Sequence, residues 1–241
     1  MQRILITGAN RGIGFDLTQR YLQRADTLIF ATCRHPDRAD ALQDLAAQYP
    51  QRLYILPLDV TDEAAILRAI AAVRSQVDGL ELLVNNAGSY PGGVDAQEAS
   101  SAVFGTLEMQ AMLEVFQVNT IAPVILAQAA ADLLRSGSSA RIVNVTSDAG
   151  SITYRDNGCN YSYPASKAAL NMMTRCLAGD FRAAAVSVIS IHPGWIQTEM
   201  GGTHAPRTLA DTMPGMMRVI DGLTLADSGS FFNWDGTRVP W

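Results

Sequence analysis

Tyr163 and Lys167 stand four residues apart in the stretch NYSYPASKAALNMM, Asn160 to Met173. Side chains four apart on a helix are neighbours, offset by about 40° of rotation. A phenol titrates near pH ~10, and an ammonium beside it stabilises the phenolate and lowers that value. Such a pair can exchange a proton with an oxygen bonded to carbon, the acid–base half of carbonyl reduction. Tyr161 is six residues from Lys167 and would face elsewhere even on a helix, so it reads as a loop or pocket-lining residue. Pro164 puts the helix start here, because proline is tolerated in a first turn.

Ser147 follows the apolar run RIVNV (Arg141–Val145). It therefore sits at the C-terminal end of a strand, where open α/β sheets place their sites. A hydroxyl there can donate to an oxygen gaining negative charge. A serine after a strand is also ordinary turn chemistry, and its order and spacing relative to Tyr163 favour the site reading. Asn119, in FQVNTIAP, is a polar residue in an apolar helical stretch; on its own it reads as a satisfied buried amide or a helix distortion.

The second reactant is suggested by TGANRGIG, Thr7 to Gly14, between the first strand and first helix. Gly8, Gly12 and Gly14, with Asn10, Arg11 and Ile13 between them, form Gly-x-x-x-Gly-x-Gly rather than the Gly-x-Gly-x-x-Gly of the dinucleotide fingerprint. The physics is shared: glycines let backbone approach a pyrophosphate, and amides at a helix N-terminus face the anion. The second strand ends in ATCRHPD. An acidic residue there would bind both ribose hydroxyls, but the chain has Cys33 and Arg34. A guanidinium can grip a 2′-phosphate through paired hydrogen bonds, and Arg11 supplies a second cation from the glycine turn. Together they point to NADPH/NADP+ over NADH.

These residues need a sheet to bring them together. Short apolar runs at Arg3–Ile6, Thr27–Thr32, Leu53–Leu58, Leu80–Val84, Ala140–Val145 and Val186–Ile191 alternate with helical patterns. The helices are expected from about Gly12, over Asp40–Gln48, from Thr61 or Asp62 to about Val77, over Leu107–Arg135 and over Pro164–Ala183. The strands are apolar on both faces, as in a parallel sheet covered on both sides. The pattern predicts one doubly wound α/β domain of Rossmann type over residues 1–241, with a mainly parallel seven-stranded sheet. Beyond Thr198 the composition turns to Gly, Pro and Met with no expected helix, and GSFFNWDGTRVPW holds a last strand, a turn and a tail.

The bulk numbers exclude several classes. A chain of 241 residues, 48% hydrophobic and 17% charged with net charge −5, carries no basic stripe for nucleic acid. Three scattered histidines and three cysteines give neither metal-ligand spacing nor a disulfide framework, and the cysteines suit a reducing, cytoplasmic compartment. The start MQRILITGAN lacks the pattern of a signal peptide, and Val118–Leu134, interrupted by Asn119, Gln128 and Asp132, is too short and polar to span a membrane.

TGANRGIG, NNAG (Asn85–Gly88), Ser147 in NVTS, Tyr163-x-x-x-Lys167 and HPGWIQT (His192–Thr198) occur in that order. Together they resemble the short-chain dehydrogenase/reductases over essentially the whole chain. HPGWIQTEMGG and DGTRVPW resemble, more narrowly, the sniffer/C-factor group of carbonyl reductases. The resemblance implies Tyr163 as acid/base, Ser147 orienting the carbonyl, and Lys167 tuning Tyr163 while gripping the nicotinamide ribose. It implies Asn119 holding a water that relays protons through Lys167. By the same resemblance Asp59 with Val60 would meet the adenine, although Asp59 equally suits a helix cap. Asn85, Ala87 and Gly88 would line the adenosine ribose side, although Asn85 can also tie strand ends together. Pro193 and Gly194 would turn the chain past the nicotinamide, which Ile196 would bind through its backbone and Thr198 through its hydroxyl. Trp195 is either packing or a wall of the substrate pocket.

The activity so implied is NADPH-dependent reduction of a ketone or aldehyde. Two alternatives stand beside it: an NADP(H)-binding sensor or developmental signal of C-factor type, and a dehydrogenase running the reverse reaction on an alcohol. A homodimer or homotetramer is implied, with the Tyr163 helix and the long helix before it at the interface. The Ser147–Tyr163 gap of sixteen residues exceeds the commonest family spacing. Its excess, SITYRDNGCN, is expected to shape the substrate mouth, with Cys159 and Tyr161 as candidate contacts.

Overall fold

The computed structural model describes residues 1–90, 103–158 and 160–241. Seven strands, β1 (Gln2–Thr7), β2 (Thr27–Cys33), β3 (Leu53–Pro57), β4 (Leu82–Asn85), β5 (Arg141–Val145), β6 (Ser187–His192) and β7 (Phe231–Asn233), form one sheet in the order β3-β2-β1-β4-β5-β6-β7. Every neighbouring pair is parallel. Alternate residues of each strand enter opposite cores, because successive side chains in a strand point to opposite faces. Ile4, Ile6, Ile29, Ala31, Val143, Val145, Ile189 and Ile191 share one core with helices α1 (Gly12–Leu22), α2 (Asp40–Gln48) and α8 (Leu209–Gly222). Leu5, Leu28, Phe30, Leu83, Ile142 and Val188 share the other with α3 (Glu63–Arg74), α5 (Ala122–Ala129), α6 (Ala131–Ser136) and α7 (Ser162–Asp180).

Asp62, rather than Thr61, caps α3, accepting the Ala64 amide at 2.9 Å. The helix expected over Leu107–Arg135 is divided. Helix α4 (Met109–Phe116) runs into a π turn at Gln117–Ile121 before α5 begins, and Ala130 separates α5 from α6. Pro123 accounts for the π turn: it has no N–H, and its ring crowds the carbonyl four residues back. That carbonyl belongs to Asn119.

Helix α8 lies where no helix is expected from composition. Thr208 and Asp211 form a reciprocal capping box, the Asp211 carboxylate accepting the Thr208 amide at 2.7 Å and the Thr208 hydroxyl accepting the Asp211 amide at 3.3 Å. Met213, Met216, Met217 and Ile220 then bury one face at helical spacing. Gly215 is needed because a Cβ there would come within 2.8 Å of Trp234. At the far end of the sheet, Trp241 stacks on Phe231 with ring centroids 5.6 Å apart, and its carbonyl accepts from the Thr153 amide and hydroxyl and the Ser151 hydroxyl.

Candidate active site

The strand order reverses between β1 and β4, and the loops leaving the C-terminal ends of these strands diverge there, opening the crevice where such sheets bind ligands. A cleft of about 500 Å³ occupies it. Its walls include Gly8, Asn10, Arg11, Gly12 and Ile13 after β1; Cys33 and Arg34 at the end of β2; Asp59 and Val60 after β3; and Ala87 and Gly88 after β4. Tyr163, Lys167, Pro193 and Thr198 complete the set of expected residues that line it.

The glycine turn fits a close-approaching ligand. Gly8 and Gly12 have φ of 64° and 53°, the left-handed region glycine enters without strain. Gly14 does not line the cleft. A Cβ on it would lie 2.4 Å from the Gly8 carbonyl and 2.5 Å from Asn86 Nδ2, so Gly14 serves the packing of α1 against the turn. Thr7 and Asn86 lock the β1 and β4 loops together. Thr7 Oγ1 accepts the amides of Asn86 and Ala87 at 3.0 and 2.9 Å, and Asn86 Nδ2 donates to the carbonyls of Thr7 and Gly8 at 2.8 and 3.1 Å.

Asn85 is a correction to the sequence expectation. It is buried, donates to Asn144 Oδ1 at 2.8 Å, and is absent from the cleft wall, where Asn86 stands instead. Asn144 in turn donates to Thr174 Oγ1, which also receives the Ser190 hydroxyl, each at 2.9 Å. This buried polar ladder ties β4, β5 and β6 to α7 beneath the site. The strand-tying role is thus the one Asn85 performs.

Asp59 Oδ1 accepts the amide and hydroxyl of Thr61, and caps no helix. Burial pushes its carboxyl up, but those hydrogen bonds, with Arg34 and His35 nearby, outweigh it and hold the carboxyl below its usual range. Arg34 is exposed at the cleft edge. Arg11 reaches across the opening to Glu199 at 2.5 Å, both side chains largely exposed. Burial pushes the Cys33 thiol up, although the His35 amide pulls the other way.

At the floor of the cleft α7 presents Tyr163 and Lys167 on one face. Asn160 Oδ1 accepts the Tyr163 amide at 3.1 Å, fixing the first turn. Lys167 Nζ donates to the Val145 carbonyl at 3.0 Å and lies 5.6 Å from the Tyr163 ring centroid. Burial pushes this ammonium down to about 8. Tyr163 keeps part of its surface open to the cleft, yet the surrounding protein pushes its phenol up to about 12. A hydrogen bond with Ser147 pulls it back, and Asp148 and Tyr90 add to the rise. The phenol therefore stands above its ordinary range, against the lowering expected from Lys167 in the sequence, and holds its proton at neutral pH. Tyr90 packs edge-on against Tyr163, with centroids 4.8 Å apart.

Ser147 caps the short turn Asp148–Gly150, its hydroxyl oxygen accepting the Ala149 amide at 3.2 Å. Asn119 is fully buried in the π turn. Its side chain accepts the Ser89 amide at 2.8 Å and donates to the Ser89 carbonyl and Ser166 Oγ at 2.8 and 3.0 Å. The amide is thus both satisfied and part of a helix distortion. It lies beside Lys167: a Cβ on Gly88 would be 3.5 Å from Asn119 Oδ1 and 3.8 Å from Lys167 Nζ.

Residues 2–208 match the family model described as short chain dehydrogenase. The chain belongs to the short-chain dehydrogenase family. It is 38% identical over 162 residues to C-signal of Myxococcus xanthus, covering 67% of this chain and 93% of that one. Among solved structures it is similar to the NADPH-bound carbonyl reductase from chicken fatty liver, at 39% identity and TM-score 0.89 over 100% of this chain and 99% of that chain. It is likewise similar to the carbonyl reductase Sniffer of D. melanogaster, at 33% identity and TM-score 0.92 over the full length of both. As a short-chain dehydrogenase it is an oxidoreductase, and the narrower resemblance to the sniffer/C-factor group holds.

Asn86 and Thr146 are wall residues that the sequence does not single out, whereas Ser89, Tyr90, Glu199 and Met200 fall in the irregular segments Ser89–Val94 and Trp195–Met217, from which pocket residues are expected. Gly194 and Ile196 lie behind the wall. Gly194 has φ 92° and packs on Thr212 and Trp234, while Ile196 is buried and its backbone bridges Arg207. Trp195 is not part of the cleft. Its indole N–H donates to the Gly201 carbonyl at 2.8 Å, bracing the turn after Thr198. Tyr161 lines a separate hollow of about 250 Å³ with Ile152, Arg155 and Pro164. Cys159 lies outside the described residues.

Proposed function

We propose that this protein is a cytoplasmic NADPH-dependent carbonyl reductase, acting on a ketone or aldehyde, with residues 1–241 as one coenzyme-binding unit. The observation that carries the reading is the pairing of Tyr163 with Lys167 in the wall of a cleft that the glycine turn also lines, with Ser147 acting on the Tyr163 phenol from behind that wall. The cleft suits the dinucleotide: positive-φ glycines leave room for a pyrophosphate, and Arg11 and Arg34 offer cations to a 2′-phosphate. The likeness to an NADPH-bound carbonyl reductase supports the same coenzyme here.

When bound, the coenzyme supplies the hydride. Ser147 donates its hydroxyl to the carbonyl oxygen and orients it. Tyr163 gives its phenolic proton to that oxygen as charge develops there. Lys167 holds the ribose and places positive charge beside Tyr163. Asn119, whose backbone carbonyl loses its regular helical donor to Pro123, holds a water that returns protons toward Lys167.

A carbonyl panel followed by NADPH absorbance, with NADH alongside, tests this. Turnover with NADPH is expected; turnover with NADH alone would sink the Arg11 and Arg34 assignment. The likeness to C-signal favours a second reading, an NADP(H)-binding signalling protein, which NADPH binding without turnover of any carbonyl or alcohol would favour.

The run Met109–Ala129 is 21 helical residues with mean hydropathy 1.3, long and apolar enough by composition to cross a membrane, and one third of it is buried. We read its exposed apolar positions, Met109, Leu113 and Ile121, with Met172 on α7, as the face covered by a second copy. Light scattering at micromolar concentration is expected to give a dimer or tetramer. A monomer there would rule this interface out.

A further inference from the structure

The residue after Ser147 is acidic, and its two carboxylate oxygens have separate partners. Asp148 Oδ1 accepts the Ser147 hydroxyl at 3.2 Å, and Oδ2 faces His192 Nε2 at 3.7 Å. Ser147 and Asp148 follow β5 while His192 ends β6, its parallel neighbour. The group therefore bridges two adjacent strand ends at the edge of the sheet that carries the site.

His192 is buried, and its Nδ1 has no hydrogen-bond partner among the described residues. Burial pushes the ring's pKa down, Asp148 opposes that, and Arg207 reinforces it. In the neutral ring one nitrogen carries the proton. A buried N–H without an acceptor is costly, which assigns that proton to Nε2, facing Asp148. The 3.7 Å separation is electrostatic pairing rather than a direct hydrogen bond. Asp148 itself is about half exposed, a carboxylate at the edge of the site held by its hydrogen bond from Ser147.

We propose that Asp148 is a positioning residue that acts through Ser147, holding its hydroxyl until a carbonyl oxygen takes over that hydrogen bond, and favouring the proton-donating form of Tyr163. This rests on the reductase reading above. A carboxylate near a phenol disfavours the phenolate by like-charge repulsion. Burial is the largest influence on Tyr163; Ser147 opposes it, while Asp148 and then Tyr90 add to it. Lys167 Nζ also lies at the ring, 5.6 Å from its centroid, and Arg207 acts on His192 beside Asp148. Reduction needs the neutral phenol and alcohol oxidation needs the phenolate, so Asp148 biases the site toward reduction.

The test compares full-length wild type, Asp148→Asn and Asp148→Glu in pH profiles of carbonyl reduction with NADPH and of alcohol oxidation with NADP+. In the asparagine variant the alkaline limb of reduction and the acid limb of oxidation are both expected to move to lower pH, by about half a unit or more. The glutamate variant, which keeps the charge, is expected to move back toward wild type. A purely structural loss would lower rates at every pH without moving either limb, and would overturn the proposal. Superimposed profiles for active wild type and Asp148→Asn would also overturn it while leaving the reductase reading intact. Wild type that turns over nothing in either direction would overturn both.

Discussion

Tyr163→Phe is expected to lower turnover about 10²–10⁴-fold, the range for losing one positioned acid, while leaving NADPH affinity within about twofold. The substitution removes one oxygen and little else. The ring stays packed edge-on against Tyr90, the α7 first turn is fixed by the Tyr163 amide rather than by its side chain, and Lys167 keeps its bond to the Val145 carbonyl. What is lost is the proton that the phenol, pushed up to about 12, retains at neutral pH. The remaining groups still face the carbonyl, so a residual rate from Ser147 and the bound geometry is expected above background. Stopped-flow turnover beside a fluorescence titration with NADPH separates the two effects. Wild-type-like turnover in the variant would end the assignment of Tyr163, and a matched loss of NADPH affinity would mean that the phenol serves binding.

The parts legible in the sequence are those carried by local patterns. Strand runs apolar on both faces specify a covered parallel sheet, and all seven strands fall where those runs and the last apolar stretch lie. Four-residue spacing on one helix brings Tyr163 and Lys167 together without any tertiary information. The misses have local or long-range causes. Helix α8 was hidden by a Gly-, Pro- and Met-rich composition, although Thr208-x-x-Asp211 before Met213, Met216 and Met217 is a start signal followed by a helical stripe. Asn85 and Asn86 are adjacent, and one step at the end of a strand decides which of them meets the ladder and which meets the cleft. Pairings such as Arg11–Glu199 and Asp148–His192 join the ends of different strands and the turns that follow them. Nothing local encodes them; only the sheet order makes them neighbours.

That first pairing bears on coenzyme choice. Arg11 and Arg34 are the two cations the cleft offers a 2′-phosphate, but Arg11 is already engaged by Glu199 across the opening. Exposed ion pairs contribute about 0–1 kcal/mol, so Glu199 weakens Arg11 as a phosphate ligand only slightly. Arg34 carries no such competing ion pair among the described residues and carries the larger share. Arg34→Asp removes charge-assisted hydrogen bonds of about 1.5–3 kcal/mol and adds repulsion between a carboxylate and a dianion, which salt screens in part. Together these are expected to lower kcat/KM for NADPH about 10²–10³-fold, at about 1.4 kcal/mol for each factor of ten. NADH has no 2′-phosphate to repel, and a carboxylate at that place can accept from both ribose hydroxyls, so its kcat/KM is expected to hold or rise. Glu199→Gln should move the other way, strengthening NADPH binding by no more than a few fold. Parallel kinetics with the two coenzymes at low and physiological salt give the comparison. Equal losses for NADPH and NADH in Arg34→Asp would mean that Arg34 supports the cleft rather than reading the phosphate.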